Sequence, residues 1–258
     1  SLMEYHNFLL KEYFHESPIE VNNVEDEILK KYEEVSSFII DTDEYINDLC
    51  KVGGVLFEGA QGTMLDIDHG TFPYVTSSNT TLPGVVSGTG VNMGLIKYGL
   101  GITKAYSTRV GHGPFPSELK NEIGMKIGEI GGEVGATTGR TRRCGWLDLK
   151  VLKKSIRINN LSGIALTKID VLDQFDEISI CTNYGQINYE TFDVQDLEFI
   201  TLPGWKSSTL GIRQFDKLPI NAKKYIETIE NLANTSVDII STGPDREQII
   251  QKINILDD

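Results

Sequence analysis

Apolar residues recur at helical spacing in several stretches of the chain. In 24–40 they fall on one face, and acidic residues crowd the start, where they complement the helix dipole. One helix is expected to begin at Ser117, which would cap it, and to end before Gly131. Together with their capping and terminating residues, these patterns predict helices over 24–40, 41–54, 117–130, 147–161 and 219–234.

Short apolar runs that end at glycine or in polar loops predict strands. "GVLFEGA", which begins at Gly54, is interpreted as a buried strand that enters a turn, and "GIALTKID" over 163–170 as a strand followed by a loop. Apolar and polar residues alternate over 177–200, which predicts an antiparallel hairpin. The segment 236–252 predicts a strand, a loop and a helix that begins at Pro244.

Strands that alternate with helices predict an α/β fold. We expect a mostly parallel sheet flanked by helices, with the antiparallel hairpin inserted at its edge. Ligands of open α/β sheets bind beyond the carboxyl ends of the strands. Three polar loops follow predicted strands, namely "EGAQGTMLD", "TKID" and "STGPD". The order of elements therefore favours a nucleotide site at that edge.

The charge balance narrows the choice of partners and compartment. The 258 residues include 24 Lys and Arg and 37 Asp and Glu, for a net charge of −13. Nucleic acid and anionic membranes repel such a chain, so neither is expected as a partner. The three widely spaced cysteines predict reduced thiols in a cytoplasmic protein. No signal peptide or membrane span is recognised, and the two residues before Met3 are interpreted as a cloning remnant.

Two of the polar loops have the chemistry of a guanine site. In Thr167-Lys168-Ile169-Asp170, one carboxylate could accept from both N1–H and the 2-amino group of guanine, which adenine does not offer. From these four residues alone, a surface turn is the favoured interpretation. The loop from Ser241 could offer a hydroxyl and backbone N–H groups to the same base, or act only as a helix cap.

The loop from Glu58 to Thr80 combines small residues with hydroxyls. Its glycines allow close approach of the backbone to a ligand, and the amide of Gln61 can both donate and accept. His69 stands among acidic residues, so a metal site is one interpretation. We favour a hydrogen-bonded turn histidine and predict no metal ligand in this chain.

Seven basic residues occur between Arg140 and Arg157, opposed by one acidic residue, Asp148. In an acidic chain this local excess creates a field that attracts small anions. Guanidinium groups bind carboxylate and phosphate in a bidentate way, and the neighbouring threonines add hydroxyls. A solvated basic turn is the alternative interpretation. The lysines that follow the arginines in sequence are compatible with the solvent-exposed face of a helix.

Five motifs in this order resemble the adenylosuccinate synthetase family: "VLFEGAQGTMLDIDHGTFPYVTSSNT", "KAYSTRVGHGPFPSEL", "GATTGRTRRCGWLDL", "LTKIDVLD" and "STGPDR". The resemblance extends over nearly the whole chain. It implies an enzyme that joins IMP to L-aspartate with GTP and Mg²⁺. GTP phosphorylates the 6-oxygen of IMP, and the aspartate amine then displaces the phosphate.

The resemblance also implies roles for individual residues. Gln61 matches a catalytic glutamine at the IMP base, and Thr76 and Arg140 match further IMP contacts. The residues that match the aspartate-binding loop are Ala136, Thr137, Thr138, Gly139, Arg140, Thr141 and Arg142. Those that match GTP contacts are Arg142, Lys168, Ile169, Asp170, Ser241, Thr242 and Gly243.

One part of the family pattern is absent. The glycine-rich phosphate loop, the catalytic histidine and the magnesium ligands are not recognised in the chain, and the family carries them in a preceding segment. We therefore interpret 3–258 as the C-terminal portion of a single domain that is inactive alone and homodimeric in full-length form. The alternative is a truncated, non-catalytic relative that binds GTP or IMP.

Overall fold

The computed structural model describes residues 2–135, 139–188 and 190–255. The helices are α1 (Leu2–Glu12), α2 (Val21–Val35), α3 (Thr42–Val52), α4 (Leu82–Thr89), α5 (Glu122–Ile130), α6 (Leu149–Asn159) and α7 (Ile220–Ala233). The strands are β1 (Leu100–Lys104), β2 (Ser107–Arg109), β3 (Arg143–Gly145), β4 (Leu147–Asp148), β5 (Gly163–Thr167), β6 (Glu177–Asn183), β7 (Glu198–Pro203), β8 (Val237–Ser241) and β9 (Ile249–Gln251).

The main sheet has the strand order β1-β5-β8-β9. The first three strands are parallel and β9 runs antiparallel to β8, so the predicted α/β class is confirmed. Ile164 and Leu166 of β5 are buried in one cluster with Tyr225 and Ile229 of α7. Burial of each such side chain contributes roughly 1.5–3 kcal/mol, which fixes the helix against the sheet.

The predicted hairpin is present, but it belongs to a separate sheet. β6 and β7 pair antiparallel, and the parallel partner of β6 is β4, in the order β4-β6-β7. The expectation of an insertion on the edge of the main sheet was therefore wrong. A third, two-stranded sheet pairs β2 with β3.

Two predicted elements were of the wrong type. The segment from Gly54 forms no strand, and Leu56 is 89% exposed, because no described segment pairs with it. The predicted final helix is replaced by β9. In β9, Ile250 is buried while Ile249 and Gln251 are exposed, which is the alternation of a strand with one buried face. The strand pairs antiparallel with β8.

Two helix starts also differ from the prediction. α5 begins after Asn121, whose side chain accepts from the N–H groups of Ile123 and Gly124, so asparagine rather than Ser117 caps the helix. α6 begins after Asp148, which accepts from Val151 N–H. In both cases the predicted starts lie in loop or strand residues.

β1 forms one edge of the main sheet. Within the described parts of the chain it pairs only with β5, and Ile102 in its centre is 78% exposed. An unprotected edge strand is a template for pairing with another chain. The open edge is therefore the part of the main sheet that is most prone to self-association.

We predict that Ile102→Lys suppresses self-association of the 258-residue chain. A charge at the centre of an apolar edge contact should raise the dissociation constant of the self-associated form about tenfold. Sedimentation velocity over a concentration series measures this. Met125→Lys is the control, since Met125 is also exposed but lies on α5, away from the edge. Equal effects of both substitutions would contradict the role of the edge.

Candidate functional site

The carboxyl ends of β1, β5 and β8 meet at one edge of the main sheet. Lys104 is paired with Thr167, and Leu166 with Ile240, so the loops after these strands are neighbours. The "TKID" and "STGPD" loops thus come together as expected. The "EGAQGTMLD" loop follows no strand, and its Gln61 lines the same cleft as Lys104 at this edge.

The loop after β5 carries three of the predicted site residues. Lys168 adopts a positive φ of 60° and donates to the carbonyl of Gly131 at 2.7 Å. Ile169 is fully buried and anchors the loop. Burial raises the pKa of Asp170, and the nearby charge of Asp173 adds to this rise. No other described side chain donates a hydrogen bond to the Asp170 carboxylate.

A pocket of about 590 Å³ lies beside Asp170. Its opposite wall is the loop that contains Lys206 and Ser207. Asp173 holds this loop in place, because its carboxylate accepts from Trp205 Nε1 at 2.6 Å and from both N–H and Oγ1 of Thr209 at 2.8 Å. The pocket is therefore walled by two loops that the hydrogen bonds of Asp173 join.

The loop after β8 is held by its own side chains. Ser241 Oγ donates to Gly243 O at 2.9 Å, and Thr242 is buried and donates to Ile212 O at 2.9 Å. A Cβ on Gly243 would lie 2.2 Å from Gln248 Oε1, so a larger residue would have to displace this side chain, which accepts from Asp245 N–H. All three predicted residues thus sit in an ordered turn between paired strands.

A buried carboxylate, that of Glu133, lies between these loops and the arginine-rich segment. It accepts from Lys104 Nζ at 2.8 Å, Tyr106 Oη at 2.6 Å, Lys168 Nζ at 2.9 Å and Arg142 Nη1 at 2.8 Å. Burial raises its pKa, but these four donors outweigh burial and lower the pKa to about 2. Glu133 is therefore ionised at neutral pH, and we call this group the Glu133 cluster.

The predicted aspartate loop is only partly within the described residues. Ala136, Thr137 and Thr138 lie outside them. Gly139 has a φ of 63°, and the N–H of Gly135 donates to the carbonyl of Arg140 at 2.8 Å, which closes the loop at its base. The side chains of Arg140 and Thr141 are exposed, whereas that of Arg142 is half-buried in the Glu133 cluster. Arg142 is thus not part of a solvated turn.

The loop that carries Gln61 and Thr76 is organised by Asp66. This fully buried carboxylate accepts from the N–H groups of Asp68, His69 and Thr80, at 2.7–3.0 Å. Burial raises the pKa of Asp66, but the backbone donors and the charge of His69 lower it below its ordinary value.

Other contacts fix this loop to its surroundings. Arg109 of β2 donates to Thr71 Oγ1 at 2.9 Å and to Tyr74 O at 3.1 Å, and Lys154 of α6 donates to His69 O at 2.7 Å. His69 thus occupies a hydrogen-bonded turn. Among the residues that the structure describes, no group of three His, Cys, Asp or Glu side chains could hold a metal ion.

A large open cleft, about 2490 Å³, extends from the Gln61 loop to Arg142 and is separate from the pocket beside Asp170. Its walls include Gln61, the exposed edge of β1 and Arg142. Gln61 is exposed with a φ of 60°, and Thr76 is half-buried, with its N–H bound to Leu65 O at 2.8 Å. The cleft therefore leaves room for a ligand between Gln61 and the arginine segment.

Sequence reasoning missed three residues that shape the site: Lys104, Glu133 and Asp173. Lys104 follows "LGIT", a short apolar run that in retrospect marks a strand. Glu133 is a lone acidic residue between a Gly-Gly turn and the basic segment, which is a signal for an ion pair. Asp173 carried no such signal, because its partners lie 32 and 36 positions away.

Comparison with known proteins shows the family to which the chain belongs. The family description "Adenylosuccinate synthetase" matches residues 1–250. An adenylosuccinate synthetase from Chromohalobacter salexigens is 49% identical over 96% of this chain, and one from Edwardsiella ictaluri is 48% identical over 96%. The chain spans 60% of the length of each of these relatives.

A solved structure gives the same result for the fold. The fully ligated adenylosuccinate synthetase from Plasmodium falciparum superposes with a TM-score of 0.84 and 36% identity. The match covers 98% of this chain and 62% of that one. In addition, no helix among the described residues is long and apolar enough to cross a membrane.

The fold and site define an α/β protein whose polar loops gather at the carboxyl edge of a parallel sheet, beside a broad cleft. Within that class, the chain belongs to the adenylosuccinate synthetase family.

We predict that Asp66→Asn lowers the free energy of unfolding by roughly 1–3 kcal/mol at pH 7, because an amide replaces the ionised acceptor of three backbone N–H groups. The pKa of Asp66 is lower in the folded state than in the unfolded state, where it is about 3.9. The ionised carboxylate therefore stabilises the folded state above that pH, and this stabilisation disappears as the pH falls through the folded-state pKa. The difference from the parent should therefore vanish in acid. Urea unfolding at pH 7 and at lower pH measures it.

The control is Asp68→Asn in the same loop. Asp68 is exposed, and among the described residues its carboxylate accepts only from Asn79 Nδ2, so its loss should cost less than about 0.5 kcal/mol. If the two variants show the same loss and the same pH dependence, Asp66 does not organise the loop.

Proposed function

We propose that this chain carries the IMP, L-aspartate and guanine recognition loops of an enzyme that forms adenylosuccinate with GTP. The observation that carries the proposal is the arrangement of the "TKID" and "STGPD" loops. They follow adjacent parallel strands, and the desolvated Asp170 carboxylate lines a pocket without a described side-chain donor. Asp170 is half-buried and its carboxylate accepts from its own backbone N–H, so a ligand that supplies two further donors would complete its hydrogen bonds.

In this proposal, guanine occupies the pocket beside Asp170. N1–H and the 2-amino group donate to the two carboxylate oxygens, which selects against adenine. The stem of Lys168 lies along the base, and the loop of Ser241, Thr242 and Gly243 faces the 6-oxygen. The loop held by Asp173 excludes water from the outer face.

The arginine segment accounts for the anionic substrates. The exposed guanidinium of Arg140 is available to IMP or to a carboxylate of aspartate, and Arg142 lies between this segment and the guanine loop. The hydroxyls and N–H groups of residues 136–141 supply further donors. Gln61 would contact the IMP base and its 6-phosphoryl group, and Thr76 the nucleotide.

The reaction requires groups beyond these loops. By family resemblance, GTP transfers its γ-phosphoryl group to the IMP 6-oxygen, and the aspartate amine then displaces orthophosphate. Mg²⁺ supplies charge neutralisation for that transfer. By the same resemblance, we assign the ligands of the ion to the segment that precedes the matched part in the relatives. On this proposal the 258 residues alone catalyse no turnover.

The same resemblance implies a homodimer for the full-length enzyme. We also propose a cytoplasmic location, which the free cysteines Cys50, Cys144 and Cys181 support.

The second candidate function is binding of GTP or IMP without catalysis. The loops around Asp170 and Ser241 are the observation in its favour, since they would bind a guanine nucleotide whether or not the chain is catalytic. Both candidates predict guanine selectivity, and turnover separates them.

The test joins residues 3–258 to the preceding segment of the Chromohalobacter salexigens relative, and we call this fusion the extended enzyme. It should produce adenylosuccinate from IMP, aspartate and GTP. A folded extended enzyme without this activity would contradict the catalytic proposal and leave the binding alternative.

We predict that Asp170→Asn makes the extended enzyme prefer XTP to GTP. Xanthine presents a carbonyl where guanine has its amine, so aspartate faces it acceptor to acceptor, while asparagine offers a matching donor. The ratio of kcat/KM for the two nucleotides should change by on the order of 10² or more, with little change in the KM for aspartate. A variant that keeps the parent's preference for GTP would reduce Asp170 to a structural turn residue.

We predict that Arg140→Ala lowers kcat/KM for aspartate or IMP at least about tenfold in the extended enzyme, because a charge-assisted bidentate contact is lost. Arg157→Ala is the matched control, since Arg157 belongs to the same basic run but lies on the exposed face of α6. Steady-state kinetics with each substrate varied in turn measures the change. Equal kinetics for the two variants would restore the interpretation of a solvated basic turn.

A further inference from the structure

The Glu133 cluster joins two loops for which the proposed function gives different ligands. Glu133 Oε2 accepts from Arg142 Nη1 at 2.8 Å, and Oε1 accepts from Lys168 Nζ at 2.9 Å. Arg142 is the last residue of the proposed aspartate loop, and Lys168 begins the guanine loop. We infer that Glu133 is a positioning residue that couples the guanine and aspartate subsites, an inference that rests on the proposed function.

The carboxylate is placed to act on both loops at once. It is completely buried, whereas the three cations around it are between 24% and 35% exposed. Each cation therefore has its charged end held from inside while part of its side chain reaches the surface of the site. Lys and Arg have many rotamers, and a shared buried acceptor selects one of them before a ligand arrives.

The backbone around Glu133 strengthens this coupling. Its N–H donates to Gly128 O at 2.9 Å, and its carbonyl accepts from Arg142 N–H at 2.9 Å. Lys168 also donates to Gly131 O, two positions before Glu133. The end of α5, the base of the arginine segment and the guanine loop are thus joined through one residue and its nearest neighbours.

Two further donors restrict the carboxylate. Lys104 bonds to both oxygens at 2.8 Å, and Tyr106 bonds to Oε1 at 2.6 Å. A ligand that draws Arg142 or Lys168 toward itself changes the electrostatic balance of the same group. Binding at one subsite should therefore alter the affinity at the other, and the effect must be reciprocal.

A purely structural ion pair would behave differently, and the chain provides one for comparison. Glu118 accepts two hydrogen bonds from Arg143, at 2.7 and 2.5 Å, close to the Glu133 cluster. It contacts neither Arg142 nor Lys168 through its side chain. Glu118→Gln removes a bidentate ion pair without touching either proposed subsite, so it is the matched control for Glu133→Gln.

The first measurement uses the 258-residue chain without ligand. Amine acetylation followed by mass spectrometry reports how firmly Lys168 is held. Glu133→Gln should raise the labelling rate of Lys168 severalfold, because an amide replaces its charged acceptor, and Glu118→Gln should not. An unchanged rate in Glu133→Gln would overturn the inference.

The second measurement titrates the same chains with GDP and with L-aspartate, each alone and in the presence of the other. Glu133→Gln should weaken both ligands by about tenfold and abolish the effect of one on the other. Glu118→Gln should leave both affinities and their coupling intact. Glu133→Asp keeps the buried charge but is one methylene shorter, so it should give intermediate affinities, and it serves if Glu133→Gln does not fold.

The outcomes separate the two proposals. If the unchanged chain binds both ligands and folded Glu133 variants bind them equally well, the positioning role is wrong while the subsites stand. A loss for one ligand only would also overturn the coupling. If the unchanged chain binds neither ligand, the subsites assigned to this chain fail and the role of Glu133 fails with them, whereas the extended enzyme tests the catalytic proposal on its own.

Discussion

One buried negative charge organises the functional edge of this protein. An isolated carboxylate in the interior is strongly destabilising, and the Glu133 side chain is tolerated there because three cations and a phenol surround it. Those donors come from β1 and the turn after it, from Arg142 at the end of the proposed aspartate loop, and from the loop after β5. The relative placement of three separate elements thus depends on a single group, and removing it would leave uncompensated positive charge among them.

The order of elements explains which parts of the fold could be predicted. β5, β8 and α7 carry strong local patterns, because each buries one side against the same core, and their predicted positions are close to the observed ones. The segment from Gly54 and the segment at Ile250 failed for one shared reason. Strand formation depends on a partner that local sequence does not specify, so an apolar run without a partner stays irregular and a helix-like tail becomes β9.

Prediction of the site from sequence was limited by contacts between residues that are far apart along the chain. Motif residues such as Lys168 and Asp170 were placed by their position after a strand, and the structure brings their loop beside that of Ser241 as expected. The residues that hold those loops, Glu133 and Asp173, act through contacts far apart in sequence. Such supporting groups carry no motif of their own, so they become visible only when the chain is folded.

The turn between β8 and β9 has a consequence for recognition. Both of its ends are tied into the sheet, and Thr242 and Gln248 are joined across it by a backbone hydrogen bond of 2.8 Å. Its conformational entropy is therefore lost during folding and not when a ligand arrives. This turn should therefore distinguish between bases by its fixed shape. A base that complements the turn binds, and a base that does not is excluded.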